Sequence, residues 1–287
     1  TTVGLINRFG PKRIIDTPTS ENCITGVAFG AALAGMHPIM CYPRMDFMYY
    51  AMDQIANQIA NWHYMFGGQL SAPITLWAII NRGGEQAAQH SQALQAVFMH
   101  LPGLKVVMPS TPYDAKGLLV ACIEEDNPVV YIDDRWLYEH VGEVPEELYS
   151  VPIGKGVVRR EGEDVTMVAT SYMVHEAIGA AERLDKEGID VEIVDLRSLK
   201  PLDENLLLAS VKKTGRLIVV DGGWKTCGVA AEISARIAEN DVFRSLRAPI
   251  IRVSLPDTPA PASSALEKVY YPKAEKIILA VREILEM

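Results

Sequence analysis

Residues 165–221 read VTMVATSYMVHEAIGAAERLDKEGIDVEIVDLRSLKPLDENLLLASVKKTGRLIVVD, and this stretch decides the fold class. Short apolar runs alternate in it with segments of helical period. The apolar runs are Val165–Thr170, Val191–Leu196 and Leu217–Asp221, and the helical segments are Met173–Lys186 and Asp203–Lys213. Strands that are apolar throughout are typical of parallel sheets covered by helices on both faces. The stretch therefore predicts an α/β fold.

The same alternation extends over the rest of the chain. Further predicted strands are Pro38–Tyr42, Ile74–Ile80, Val106–Pro109, Val129–Asp133 and Ile250–Val253. Further predicted helices are Met45–Phe66, Gln92–His100, Tyr113–Glu125, Val229–Glu239 and Pro272–Leu285. Between the two series, the acidic segment Glu139–Pro152 carries two prolines and no apolar period, as interdomain segments often do. We predict two parallel-sheet domains, residues 1–140 and 154–287, joined by a linker at 141–153.

Composition excludes several classes of protein. The chain has 287 residues, 49% hydrophobic and 22% charged, which is typical of a soluble globular protein. Its net charge of −9 argues against a nucleic-acid partner. No apolar run reaches the roughly 18 residues of a membrane span, so we expect no membrane partner. The four cysteines are scattered and form no C-x-x-C pair, which predicts no disulfide and a reducing cytoplasm. The histidines lack the spacing of metal ligands, so we predict no metal site on this chain.

The segment Asp16–Glu21 (DTPTSE) places one carboxylate where a helix is predicted to begin. The strand-like Arg13–Ile15 precedes it. Thr19 or Ser20 can cap the helix, and the helix dipole favours an acid in the first turn. On this interpretation Glu21 is an ordinary helix-start acid.

A second interpretation of Glu21 comes from the helix behind it. One face of this helix carries only small residues, Gly26, Gly30 and Ala34, so another backbone can approach it closely. Glycine is a poor helix former, so its presence here suggests that close approach matters more than helix propensity. That pattern predicts a tight interface. An acid buried at such an interface can act as a proton donor. The residue types alone leave both interpretations open.

Two further segments are candidates for chemistry. The aromatic run Tyr42–Tyr50 (YPRMDFMYY) can stack on a flat heterocycle or simply pack the core. The segment Gly83–Gln92 (GGEQAAQHSQ) combines a glycine pair with His90, which is predicted to lie at a helix start. His90 is either a structural side chain or a general acid/base. A serine nucleophile is not predicted, because the chain has no Gly-x-Ser-x-Gly elbow.

The segment Val220–Trp224 (VDGGW) precedes the predicted helix Val229–Glu239 and could in principle bind phosphate there. It lacks the spacing of a P-loop and of a dinucleotide-binding fingerprint. We therefore expect an ordinary tight turn.

Taken together in order, these segments resemble one family, the β chains of thiamine-diphosphate-dependent 2-oxo acid dehydrogenases of the pyruvate, branched-chain and acetoin type. The resemblance covers nearly the whole chain. It is carried by Arg13–Glu21, Gly26–Gly35, Ala51–Gln54, Gln89–Gln92, Pro102–Val107, Asp114–Leu118, Asn127–Val130, Asp195–Asp203 and Gly222–Trp224. Many matching segments in the same order and spacing indicate the family far more specifically than any single segment does.

The resemblance implies a pyrimidine-binding transketolase-like domain followed by a transketolase C-terminal-like domain. It implies decarboxylation of a 2-oxo acid and acyl transfer to a lipoyl group. The family's metal–diphosphate signature, Gly-Asp-Gly followed further along by Asn, is absent from this sequence. The resemblance therefore implies a shared thiamine diphosphate whose Mg²⁺ is bound by a partner α chain, in an α2β2 assembly with a second β chain and a lipoyl acyltransferase core. It also implies a cytoplasmic location, or the mitochondrial matrix in a eukaryote.

The resemblance also assigns roles to residues. Glu21 matches the acid that hydrogen-bonds the aminopyrimidine ring nitrogen. Phe47 matches the aromatic side chain that packs against that ring, and Thr19 and Tyr50 are expected beside it. His90 matches the histidine that faces the reactive carbon and assists acyl transfer.

Two departures from the family pattern keep other functions open. Family members carry an Arg-x-Pro-x-Gly turn where this chain has Trp77–Asn81, with Arg82 displaced, and this leaves the shape of the substrate pocket open. The acidic segment with which family members begin is also absent. The alternatives are a transketolase-like subunit that transfers a ketol or acyl unit to an aldehyde or sugar, and a non-catalytic subunit that keeps the fold.

Overall fold

The computed structural model describes residues 2–287; Thr1, the first residue of the predicted domain 1–140, lies outside this range. The strands are β1 Ile39–Tyr42, β2 Thr75–Ile80, β3 Lys105–Val107, β4 Val129–Asp134, β5 Val157–Arg160, β6 Val165–Ala169, β7 Val191–Asp195, β8 Ser198–Lys200, β9 Leu217–Trp224 and β10 Ile251–Leu255. The α-helices are α1 Leu5–Phe9, α2 Glu21–Leu33, α3 Trp62–Met65, α4 Gln95–His100, α5 Pro112–Glu124, α6 Tyr172–Asp185, α7 Glu204–Thr214, α8 Val229–Glu239, α9 Ser264–Tyr270 and α10 Ala274–Glu286.

The strands form two five-stranded sheets, in the orders β1-β2-β4-β3-β8 and β10-β9-β6-β7-β5. Neighbouring strands are parallel except for the edge strands β8 and β5, which pair antiparallel with β3 and β7. The predicted α/β fold with two parallel sheets is thus confirmed. The two antiparallel edge strands are not predicted, because β8 is only three residues long and β5 (VVRR) is half polar.

One hydrophobic core joins the two halves. Helices α6 and α10 pack with the second sheet on one side. Side chains of α7 and α8, such as Leu207 and Ile233, belong to the same buried cluster as Leu76 and Ile132 of the first sheet. Between the halves, residues 138–156 form neither helix nor strand. The first sheet therefore rests on the second half of the chain.

The predicted helix Met45–Phe66 is wrong, because this segment does not form one continuous α-helix. The structure has a 3-10 helix at Met45–Ala51, a π-helix at Asp53–Ile59 and then the short α3. Met45, Met48 and Ala51 are all fully buried, and a spacing of three residues matches the period of a 3-10 helix. Further 3-10 helices are Arg135–Leu137 and Asp241–Ser245.

The strand-like Arg13–Ile15 is not a strand, because Ile15 is exposed and this segment belongs to neither sheet. Helices α1 and α9 are not predicted. None of the helices formed by residues 2–287 is long and apolar enough to cross a membrane.

Candidate active site

A surface pocket of about 430 Å³ lies where α2 begins and the 3-10 helix Met45–Ala51 passes it. Its lining consists of Thr19, Ser20, Glu21, Asn22, Phe47 and Tyr50. Four of the five predicted site residues therefore line one cavity. The lining offers one carboxylate and two aromatic rings, a combination suited to a flat, nitrogen-containing ring.

Glu21 is the first residue of α2, and a hydrogen bond to its carbonyl oxygen holds its backbone in place. Ser20 occupies the N-cap position, but its side chain makes no capping hydrogen bond. Thr25 Oγ1 instead donates to the carbonyl oxygen of Glu21 at 2.5 Å and lies 2.5 Å from Tyr42 Oη. Burial raises the pKa of Tyr42 to about 12, so its hydroxyl stays protonated at neutral pH. The first turn of α2 is thus tied to the end of β1.

The small-residue face of α2 makes little close contact within residues 2–287. At Gly26, an added Cβ would lie 3.3 Å from Gln54 Oε1, so a side chain covers this position. Gly30 and Ala34 are exposed, and no atom of the described chain approaches within 4 Å of the Cβ position at Gly30. Glu21 itself is only half-buried. The tight interface predicted for this face is therefore not made within the described part of the chain.

Phe47 joins the pocket to His90. Its ring lies 6.1 Å from the Tyr50 ring at an interplanar angle of 30°, and 5.4 Å from the His90 ring at 87°. Edge-to-face and offset-stacked pairs at these separations are favourable. Of the aromatic run, Tyr42 packs the core, whereas Phe47 and Tyr50 face the pocket. The core-packing interpretation thus holds for Tyr42, and stacking of Phe47 and Tyr50 on a heterocycle stays a prediction.

His90 does not lie at the start of a helix, as the sequence predicts. It sits in a loop between β2 and α4, and Glu85 and Ala87 in this loop adopt left-handed conformations. The reason is that the backbone after His90 is held by side chains. Gln92 N donates to Asp46 Oδ1 at 3.0 Å. Leu94 N donates to Met45 Sδ at 3.4 Å, so both contacts come from the 3-10 helix.

The segment that departs from the family pattern lies outside this pocket. Asn81 donates to the carbonyl oxygen of Pro43 at 2.7 Å and accepts from Arg135 at 3.0 Å. Arg82 is buried, forms an ion pair with Asp134 and donates to the carbonyl oxygen of Gly222 at 3.3 Å. Arg82 thus connects the two halves instead of reaching the pocket.

The predicted tight turn at Val220–Trp224 is wrong, because β9 runs through both glycines to Trp224. A Cβ at Gly222 would lie 2.6 Å from Arg82 Nη1, and one at Gly223 would lie 2.9 Å from Gln95 Nε2. The glycines make room for these two side chains. Gln95 also donates to the buried Asp221 at 2.9 Å.

The second half of the chain therefore supports both ends of the His90 loop, through Arg82 before it and Gln95 after it. Sequence reasoning missed this support and the Asp46 contact. The available signal is Asp46, the one acidic residue of the run Tyr42–Tyr50. Residues 2–287 contain no cluster of His, Cys, Asp or Glu that could hold a metal ion.

Comparisons with known proteins agree with this architecture. The family model described as the transketolase pyrimidine binding domain matches residues 1–140, and that of the transketolase C-terminal domain matches residues 154–277. The acetoin:2,6-dichlorophenolindophenol oxidoreductase subunit beta of Cupriavidus necator is 47% identical, over 99% of this chain and 84% of its own. The pyruvate dehydrogenase E1 component subunit beta of Bacillus subtilis is 42% identical, over 99% and 87%.

A solved structure with the same fold is a split gene transketolase in an inactive β4 tetramer. Its TM-score is 0.82 at 25% identity, and the match covers 99% of this chain and 88% of that one. Sequence and structure thus point to the same group of proteins.

Proposed function

This chain belongs to the family of 2-oxo acid and acetoin dehydrogenase β subunits with a transketolase-like fold, and we propose that it acts as such a subunit. Its reaction is the thiamine-diphosphate-dependent decarboxylation of a 2-oxo acid, with acyl transfer to a lipoyl group. The observation that carries this proposal is the single pocket that Thr19, Glu21, Phe47 and Tyr50 share, with His90 against Phe47.

The pocket fits half of that cofactor. One carboxylate and two aromatic rings suit an aminopyrimidine, whereas residues 2–287 offer no metal-binding cluster for the diphosphate end. When bound, thiamine diphosphate supplies the nucleophilic carbon and the electron sink of the reaction.

Glu21 acts on the aminopyrimidine by holding a proton at its ring nitrogen. This task needs a fixed geometry more than a mobile side chain. The contact from Thr25 to the Glu21 carbonyl oxygen, supported by Tyr42, fixes the backbone from which the Glu21 side chain extends. Thr19 lines the same pocket.

Phe47 and Tyr50 sandwich or flank the flat ring. Phe47 is half-buried between His90 and Tyr50, whereas the side chain of Tyr50 is 70% exposed. An aromatic side chain this exposed, beside a cofactor pocket, is expected to be covered by the cofactor or by a partner chain.

His90 serves the acyl-transfer half of the reaction. Its imidazole is partly exposed and held by Phe47, so it can meet a substrate that enters from outside the pocket. A histidine can donate and accept a proton near neutral pH. We assign to His90 the orientation of the substrate and proton transfer to the acceptor sulfur.

The other half of the site belongs to a partner. An α subunit carries the diphosphate and Mg²⁺ site, in an α2β2 assembly with a second β chain. The exposed side chains Ile15, Val27 and Met36, together with Tyr50, support an interface around α2 and the pocket. The similar split gene transketolase, inactive as a β4 tetramer, is in keeping with a β chain that needs its partner.

The remaining parts of the proposal follow from the family. Residues 1–140 form the pyrimidine-binding domain, residues 141–153 the linker and residues 154–287 the C-terminal-like domain. A lipoyl acyltransferase core receives the acyl unit. The enzyme works in the cytoplasm, or in the mitochondrial matrix if the source is eukaryotic.

The test is reconstitution with the α chain. The complex is assayed with thiamine diphosphate and Mg²⁺ for reduction of an artificial electron acceptor, across a panel of 2-oxo acids and acetoin. We expect turnover that needs both chains, the cofactor and the metal. Turnover only with an aldehyde or sugar acceptor would replace this proposal with the transketolase-like alternative. No turnover with any donor would favour a non-catalytic subunit.

A further inference from the structure

We propose that Glu267 is a positioning residue for His90: from helix α9, its carboxylate holds the start of the loop that carries His90. This inference rests on the proposed function of His90 in acyl transfer. It gives the second half of the chain a part in that step, although none of the residues that line the pocket belongs to this half.

The loop between β2 and α4 begins in a backbone conformation that residues with a side chain rarely adopt. Gly83 and Gly84 have φ angles of 74° and 65°, and Glu85 and Ala87 have φ angles of 62° and 58°. Left-handed backbone is easy for glycine but costly for glutamate and alanine. His90 N donates to the carbonyl oxygen of Ala87 at 3.4 Å, so the backbone at His90 is tied to this segment. Such a conformation persists only where surrounding contacts hold it.

Helix α9 supplies two of these contacts, one in each direction. Glu85 N donates to Glu267 Oε1 at 3.1 Å, and Ser264 N donates to Glu85 Oε1 at 3.2 Å. Ser263, at the N-cap position of α9, makes no capping hydrogen bond with its side chain. The carboxylate of Glu85 therefore caps α9 from the other half of the chain, and Glu267 returns the contact, with the reciprocity of a capping box.

The burial of Glu267 indicates that the loop contact is the task of its carboxylate. Glu267 and Tyr270 are the two buried residues of α9, and only 8% of Glu267 is exposed. Acidic side chains are rarely buried unless they are paired. Within residues 2–287 this carboxylate has no ion-pair partner, and the hydrogen bond that it accepts comes from Glu85 N. Hydrogen bonds to an ionised acceptor are stronger than neutral ones, so the contact can hold a strained backbone.

Aromatic rings pack against the residue at which the loop begins. At Gly83, an added Cβ would lie 3.0 Å from the ring of Trp136, so this ring lies directly on the loop backbone. The Trp136 ring lies 5.1 Å from that of Tyr271, the residue after α9. Trp136 thus covers Gly83, whereas Glu267 holds Glu85, which is two residues closer to His90.

Substitutions Glu267→Leu and Glu267→Gln separate the hydrogen bond from the packing. Leucine fills the buried position but has no acceptor, whereas glutamine keeps an Oε1 acceptor for Glu85 N. The first readout needs no activity: it is hydrogen–deuterium exchange of the amides of residues 83–92 in the full-length chain, followed by mass spectrometry. We expect exchange to be about tenfold faster in Glu267→Leu and within about threefold of wild type in Glu267→Gln, because the loop opens more often without its acceptor.

The matched control is Glu283→Leu, which makes the same replacement elsewhere in the second half. Glu283 is exposed on α10, and its side chain forms no hydrogen bond or ion pair with any other residue of the range 2–287. Exchange of residues 83–92 should be the same in this variant as in wild type.

The second readout uses the complex reconstituted with the α chain. In Glu267→Leu, kcat for acyl transfer to lipoamide should fall about tenfold, because His90 moves with the loop. The KM for the 2-oxo acid and hydrogen–deuterium exchange at the thiazolium carbon should stay within about twofold of wild type, because the pocket lined by Glu21 and Phe47 is unchanged. Glu267→Gln should restore transfer to within about threefold of wild type.

The outcomes separate this proposal from the proposed function. Wild-type exchange of residues 83–92 in Glu267→Leu overturns the role of Glu267, whatever the complex catalyses, and a lower Tm would then make Glu267 a stabilising residue only. Faster loop exchange with an unchanged kcat for transfer overturns the positioning of His90. Faster loop exchange in Glu267→Leu, with a wild-type complex that shows no turnover, supports the Glu267–Glu85 contact and overturns the proposed function instead.

Discussion

The imidazole of His90 stands edge-on to the ring of Phe47, with centroids 5.4 Å apart and planes at 87°. Phe47 in turn faces the pocket that Glu21 lines. One aromatic ring therefore both lines the proposed cofactor pocket and contacts His90, the residue to which we assign acyl transfer. A change at Phe47 has consequences on both sides of the ring.

Substitution Phe47→Leu tests this double role. Leucine keeps apolar contact but loses the flat face and the edge-to-face contact, which is worth about 0.5–1.5 kcal/mol beyond burial. We expect the concentration of thiamine diphosphate needed for half-maximal activity to rise about tenfold, measured by cofactor titration of the complex.

Acyl transfer should fall further than decarboxylation in the same Phe47→Leu variant, because His90 loses its support. The control is Tyr49→Leu, two residues away and not part of the pocket lining. Equal cofactor requirements in Phe47→Leu and wild type would remove Phe47 from the cofactor site.

Substitution Glu21→Gln tests the acid at the pocket. Glutamine is isosteric and leaves the Thr25 contact to the backbone carbonyl intact, so the fold and assembly should be unchanged. It cannot exchange a proton with the aminopyrimidine. We expect hydrogen–deuterium exchange at the thiazolium carbon to slow by at least about a hundredfold, as for loss of a general acid/base. Exchange at the wild-type rate would defeat the assignment.

Substitution His90→Ala should affect the two half-reactions, decarboxylation and acyl transfer, to different extents. The side chain lies beside Phe47 but does not line the pocket, so decarboxylation with an artificial acceptor should lose no more than a few-fold. Transfer to lipoamide should fall by about a hundredfold or more. His90→Gln is the matched polar variant. Parallel losses in both half-reactions would show that His90 has no specific task in transfer.

The parts of this molecule that the sequence predicts well are those with strong local patterns. Strands β2, β4, β6 and β7 are continuous apolar runs, and their positions follow directly from that pattern. The 3-10 and π geometry after β1 is different, because burial of Met45, Met48 and Ala51 overrides helix propensity there. Local patterns do not contain that information.

The site divides in the same way. Residue types and the family resemblance predict Glu21, Phe47 and His90 as site residues. They do not predict Asp46 and the Gln95–Asp221 pair, because their contacts join segments far apart in the chain, Asp46 to Gln92 and Gln95 to Asp221. Such contacts depend on the packing of the whole fold and leave no mark in local spacing.

Substitution Asp133→Asn gives a pH-dependent test of stability away from the site. Burial raises the pKa of Asp133 from 3.8 to about 6, with Asp134 adding to the rise and a hydrogen bond from Tyr138 opposing it. A carboxyl with a raised folded-state pKa favours the fold while it is protonated, and this stabilisation is lost as pH rises from about 4 through 6. Above pH 6 the ionised, half-buried group therefore destabilises the protein. We expect the Tm of Asp133→Asn to exceed that of wild type at pH 8 and to match it near pH 4, measured by calorimetry.

The control is Glu139→Gln, since Glu139 is an exposed acid, and its Tm should not differ from that of wild type at either pH. A Tm gap between Asp133→Asn and wild type that is the same at both values would mean that asparagine acts through packing and not through charge.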